Sequence, residues 1–129
     1  MRINQDCIRD ILLYIENLTL SEMQHGIESE ELSEVEMLTE KYSKDDIVYS
    51  LIQLIDAGYL EGETYDYVYD PTSVRVDKIT WEGHEFIDAT RSETVWLKTK
   101  EKVSKLIGET SLAVLTQVAT AVSKQLLGL

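Results

Sequence analysis

Between Ser43 and Gly58 the chain carries a helix whose two ends are written into its residues. Ser43 is a good N-cap, and Asp45 and Asp46 in the first turn suit the positive end of the helix dipole. Ile47, Val48, Leu51, Ile52, Leu54 and Ile55 recur at helical spacing and give a broad face to bury. Gly58 stands where a C′ glycine ends a helix, so the segment runs over about residues 44–57. An extended segment follows at once from Tyr59 and Leu60. A helix so bounded and so closely followed by a strand restricts the chain to compact folds that mix the two.

The flanks complete the pattern. Asn4 with Gln5 and Asp6 reads as the start of an amphipathic helix over residues 4–18, with Cys7, Ile8, Ile11, Leu12, Ile15 and Leu18 on one side. Cys7 reads there as a small core hydrophobe, since no cation is placed to lower its pKa. Residues 19–33 read as a solvated loop. Glu28, Glu30, Glu31, Glu34 and Glu36 carry no base among them, and a short strand is expected around Val35–Thr39. After the central helix, Tyr65, Tyr67 and Tyr69 alternate and share one strand face. Asp70–Pro71–Thr72–Ser73 fits a type I turn, and Val74 and Val76 lead a return strand to about Ile79, making a hairpin.

Thr80 then caps a helix over Trp81–Arg91, and Ser92 caps another in which Val95, Trp96, Val103, Leu106 and Ile107 share an arc that excludes Lys98, Lys102 and Lys105. Gly108 interrupts the pattern. A last helix over residues 111–127 has an apolar arc of about half its circumference, wider than the stripe of about 100° that a surface helix needs. Two parts are expected, residues 1–91 and a helical extension over residues 92–129.

Helix, short strand, helix, hairpin and helix is the winged-helix order, so the fold class is α+β of winged-helix type. The segments Leu54–Leu60, Ile79–Phe86 and Asp88–Trp96, with Trp81–Glu82–Gly83–His84–Glu85–Phe86 as the most specific, resemble domain of unknown function family 2513. That resemblance covers most of the chain and implies a phage, prophage or bacterial setting. It implies no activity.

Charge bears on function. Twenty-four acids against twelve bases give −12, and residues 1–40 alone hold ten acids and two bases. Such a surface repels phosphate unless a basic patch is concentrated somewhere. On the second helix Asp46, Tyr49, Gln53 and Asp56 form the expected solvent stripe, with only Lys44 nearby, and the hairpin offers Arg75 and Lys78 against Asp66, Asp70 and Asp77. Lys44, Tyr49, Gln53, Arg75 and Lys78 are therefore the residues of an alternative reading, a winged helix-turn-helix transcriptional regulator. The preferred reading is a non-catalytic protein-interaction module, with the tyrosine row Tyr65, Tyr67 and Tyr69 as one candidate surface. The other is Leu112, Leu115, Val118, Val122 and Leu126 of the last helix, expected to pair two copies. An acidic face also suits a basic host or phage partner, including as a DNA mimic or counter-defence protein.

Enzyme chemistry finds little footing. His84–Glu85 followed by Asp88 misses the zincin pattern, which needs a second histidine, and His25 is the only other one. No phosphate loop, nucleophile elbow or dinucleotide fingerprint occurs, so no cofactor or metal is expected. One cysteine excludes an intramolecular disulfide, and the absence of a leader or long apolar run points to the cytoplasm and away from membranes.

Overall fold

The computed structural model describes residues 1–66, 72–106 (Leu106 by its backbone alone) and 111–129, and within them the protein is α+β. Its elements in order are α1 (Gln5–Glu16), β1 (Ile27–Glu28), α2 (Ser29–Leu32), α3 (Glu36–Thr39), α4 (Lys44–Asp56), β2 (Leu60–Tyr65), β3 (Ser73–Ile79), α5 (Trp81–Thr90), α6 (Glu93–Leu106) and α7 (Leu112–Leu127). The three strands form an antiparallel sheet in the order β1-β3-β2. The chain divides into two compact units, Met1–Gly83 and His84–Leu129, where the sequence reading placed its boundary after residue 91.

The first unit is held by α1, α4 and the sheet. Asn4 caps α1 by accepting from the Cys7 N–H at 3.0 Å, and Cys7, Ile8, Ile11, Leu12 and Ile15 are buried along one side. Ser43 caps α4 by accepting from the Asp46 N–H at 3.1 Å, and Ile47, Leu51 and Leu54 are buried. At the far end Gly58 takes φ +83, while Tyr59 N–H donates to Leu54 C=O at 2.8 Å and Gly58 N–H to Ile55 C=O at 3.1 Å. Those two bonds make a Schellman end, which needs a residue free to adopt the left-handed region.

The acidic segment differs from its sequence reading. The strand expected at residues 35–39 is the short helix α3, with Leu38 buried, and the strand lies earlier, at Ile27–Glu28 inside the expected loop. Ile27 pairs with Val76 and Glu28 with Arg75, so an acid sits across from a base. The buried Ser29 hydroxyl continues the contact, accepting from the Val74 N–H at 3.0 Å. Glutamates that repel in an extended chain are better placed in the first turns of α2 and α3, beside free N–H groups. Glu31 accepts from the Glu28 backbone N–H at 3.4 Å in that way.

The hairpin is present as β2 and β3, with a bulge between Glu61 and Gly62. Tyr67, Tyr69 and the Asp70–Pro71 step of the expected turn lie outside the described residues.

In the second unit α6 packs on α7, and Val95, Ala119 and Val122 form a cluster joined by Ala89 and Val118. Phe86 meets Trp96 edge-on, with ring centroids 6.1 Å apart. Ser92 accepts from the Val95 N–H at 3.3 Å, and Ser111 caps α7 by accepting from the Val114 N–H at the same distance. No helix among the described residues is long and apolar enough to cross a membrane.

Candidate functional site

The most distinctive surface is built where α4 ends and α5 begins. The Thr80 hydroxyl donates to the Gly58 carbonyl at 2.6 Å and accepts from the Gly83 N–H at 3.2 Å, while the Thr80 N–H donates to the Tyr59 carbonyl at 3.1 Å. One threonine thus ties the Schellman end of α4 to the first turn of α5. Gly83 is buried against the same backbone: a Cβ placed there would lie 2.3 Å from the Tyr59 carbonyl oxygen and 2.7 Å from Ile79 Cγ2. Only a residue without a side chain fits.

The buried Gly83 sets where Trp81 points. Two positions apart on a helix is about 200° of rotation, so turning Gly83 inward turns Trp81 outward. Trp81 is 76% exposed, against 1% for Trp96. Leaving a large aromatic so open forgoes its burial energy, which marks it as a candidate contact residue.

Trp81 borders an open groove of about 700 Å³, lined also by Ile55, Glu61, Glu63, Asp77, Lys78 and Glu82, all within the first unit. Four carboxylates face one ammonium there. Lys78 Nζ lies 3.7 Å from Glu61, and Arg75 on the neighbouring strand position holds Asp77 at 2.9 Å and Glu63 at 3.8 Å. The Arg75 guanidinium keeps the Asp77 carboxyl below its ordinary range by hydrogen bonding to its charged form. Glu82 is exposed and has no ion pair among the described residues.

The residues singled out from the sequence fall in different places. Lys44 is exposed, and Tyr49 and Gln53 are half-buried on α4. Arg75 and Tyr65 meet: Nη1 donates to the tyrosine hydroxyl and the guanidinium carbon lies 5.8 Å from the ring centroid. Lys78 belongs to the groove. On α7, Leu112, Leu115 and Val122 are buried within the chain and Val118 is half-buried, while Leu126 is 49% exposed. Glu61 and Glu63 were not singled out, and Trp81 and Glu82 entered only through the family-like motif, with no role assigned to them. The available signal was a glycine two residues after a tryptophan in the first turn of a capped helix.

Titration and metal chemistry add little to this surface. Burial pushes the Cys7 thiol up to about 11, with the Ser50 hydroxyl opposing and the Asp46 and Asp10 charges reinforcing the shift. That is the opposite of what a nucleophile requires. Among the described residues no group of three or more histidines, cysteines or carboxylates is placed to hold a metal ion.

A Haemophilus influenzae protein described as uncharacterized is 30% identical over 127 residues, an alignment spanning 98% of this chain and 99% of the relative. No solved structure matches. The family described as "Hypothetical protein (DUF2513)" matches residues 2–110, which take in the groove, the hairpin and all of α6, and the chain belongs to that family.

Proposed function

We propose that the protein is a non-catalytic protein-interaction module on a winged-helix-type frame. In this reading α4 stands where a recognition helix would, β2 and β3 form the wing, and α5 follows it. The observation that carries the reading is the state of the wing's two bases. Arg75 is engaged by Asp77, Glu63 and Tyr65, and Lys78 by Glu61. A groove-binding wing needs arginine or lysine turned toward phosphate, and here each base of the wing has carboxylates beside it that a phosphate would have to displace. On α4 the polar positions add Asp46 and Asp56, which repel a phosphate backbone.

Self-association is part of the proposal, in a form narrower than the whole apolar arc of α7. Leu126, Leu127 and Leu129 are 49%, 73% and 86% exposed, a run of leucines suited to a second copy.

The alternative, a transcriptional regulator, is tested by titrating random duplex DNA at low salt of about 50 mM, where nonspecific binding is strongest. No mobility shift is the outcome consistent with an interaction module. A shift that weakens steeply with added salt contradicts it.

A further inference from the structure

We propose that the groove beside Trp81 receives arginine or lysine side chains from a basic segment of a partner protein; this rests on the protein-interaction reading above and names its partner class.

Three observations converge. Trp81 is 76% exposed, on a helix start whose backbone is fixed by the Thr80 and Gly83 contacts, so its indole is offered to the groove mouth from a defined position. Tryptophan is the best aromatic partner for a guanidinium or ammonium. The rest of the lining supplies the complementary charge: Glu61, Glu63, Asp77 and Glu82 outnumber Lys78 and the adjoining Arg75, which pairs with Asp77 and Glu63, and Glu82 has no ion pair among the described residues. A carboxylate next to an indole face suits arginine in particular, since its planar fork can stack and hydrogen-bond at once.

Other occupants fit less well. Phosphate-bearing ligands meet four carboxylates. A second copy of this chain could offer the lysines of α6, but it brings a net charge of −12 with them, which a basic segment of another protein does not.

The probe is a short synthetic peptide alternating arginine with serine, compared with the same peptide carrying citrulline for arginine, at about 150 mM salt to screen the general attraction of an acidic protein. Acrylamide quenching of tryptophan fluorescence reads the groove, because Trp81 is open to the quencher and Trp96 is not. The arginine peptide should protect the exposed tryptophan and the citrulline peptide should not. By peptide anisotropy, Trp81→Ala should weaken binding about tenfold. Glu82→Gln should weaken it more than Glu101→Gln, which removes the same charge from α6. Trp81 is a surface residue, and Trp81→Phe serves as a second variant with intermediate affinity.

Equal effects of Glu82→Gln and Glu101→Gln, or binding without protection of Trp81, would overturn the assignment. So would mass growing with protein concentration that Trp81→Ala abolishes, since that gives the groove to another copy. Duplex DNA run in parallel separates the failures. DNA binding overturns the interaction reading as well, whereas neither peptide nor DNA binding overturns this inference alone.

Discussion

Arg75 and Asp77 lie two positions apart on β3, and the guanidinium donates to the same carboxylate from Nε at 2.9 Å and Nη2 at 3.3 Å. Alternate residues of a strand share a face, so the pair forms without any adjustment of the backbone. Asp77 thereby offsets the charge of one of the two bases of the hairpin. The double variant Asp77→Asn, Glu63→Gln should expose that charge and give salt-sensitive duplex binding at about 50 mM salt, with a shallow slope befitting one or two contacts.

The same pair has a pH signature. The folded pKa of Asp77 lies below its ordinary 3.8, so its contribution to stability is present above that value and is lost as pH falls through the folded pKa. Urea midpoints of the wild type and Asp77→Asn, measured from neutral pH into acid, should differ near neutrality and converge below pH 3.8. The group is largely exposed, and the difference should be small.

Cys7 should behave as a buried, protonated thiol. With its ordinary value near 9 raised to about 11, the folded state holds the proton more tightly than the unfolded one. Its stabilising effect is complete below pH 9 and is lost between there and about pH 11. A thiol reagent at neutral pH should label the native protein slowly and the urea-unfolded protein at the rate of a free cysteine. Fast native labelling contradicts the placement.

Gly58 and Gly83 should fail differently when replaced. Gly58→Ala meets no atom within 4 Å but holds φ +83, so a cost of about 1–2 kcal/mol is expected, with part of it recovered in Gly58→Asn. Gly83→Ala drives a methyl into the Tyr59 carbonyl and should cost about 1–3 kcal/mol or more, with no benefit from asparagine. Urea unfolding of the three variants separates strain from collision.

The exposed leucines at the end of α7 make a testable surface. Leu126→Gln with Leu127→Gln should reduce the mass seen by light scattering from twice the 14.8 kDa of one chain to that of a monomer, with helix content unchanged. A wild type that is monomeric at high concentration contradicts the self-association proposal.

Most of the helical frame was legible because its signals are local. Asn4, Ser43, Thr80 and Ser92 each cap the helix they precede, and Gly58 ends α4 as its position implies. The acidic segment was not legible for an equally definite reason. A two-residue strand has no alternation to read, and Ile27 acquires its partner only through Val76, far along the chain. The groove was missed because its parts are separated in sequence. Charge and periodicity place Glu61 and Asp77 on the hairpin, but the exposure of Trp81 follows from the burial of Gly83, which is a tertiary fact. The apolar breadth of α7 was read correctly as composition, yet much of it turns out to be covered within the chain itself.

A protein contact at Trp81, and not the reading of DNA, is the proposed mode of action. The two indole N–H resonances in a ¹⁵N–¹H correlation spectrum, assigned with Trp81→Phe, report on this directly. Adding the arginine–serine peptide should move the Trp81 indole resonance and leave that of the buried Trp96 in place, while duplex DNA moves neither. Shifts clustered on α4 and β3 when DNA is added, with Trp81 unmoved by the peptide, would contradict the claim.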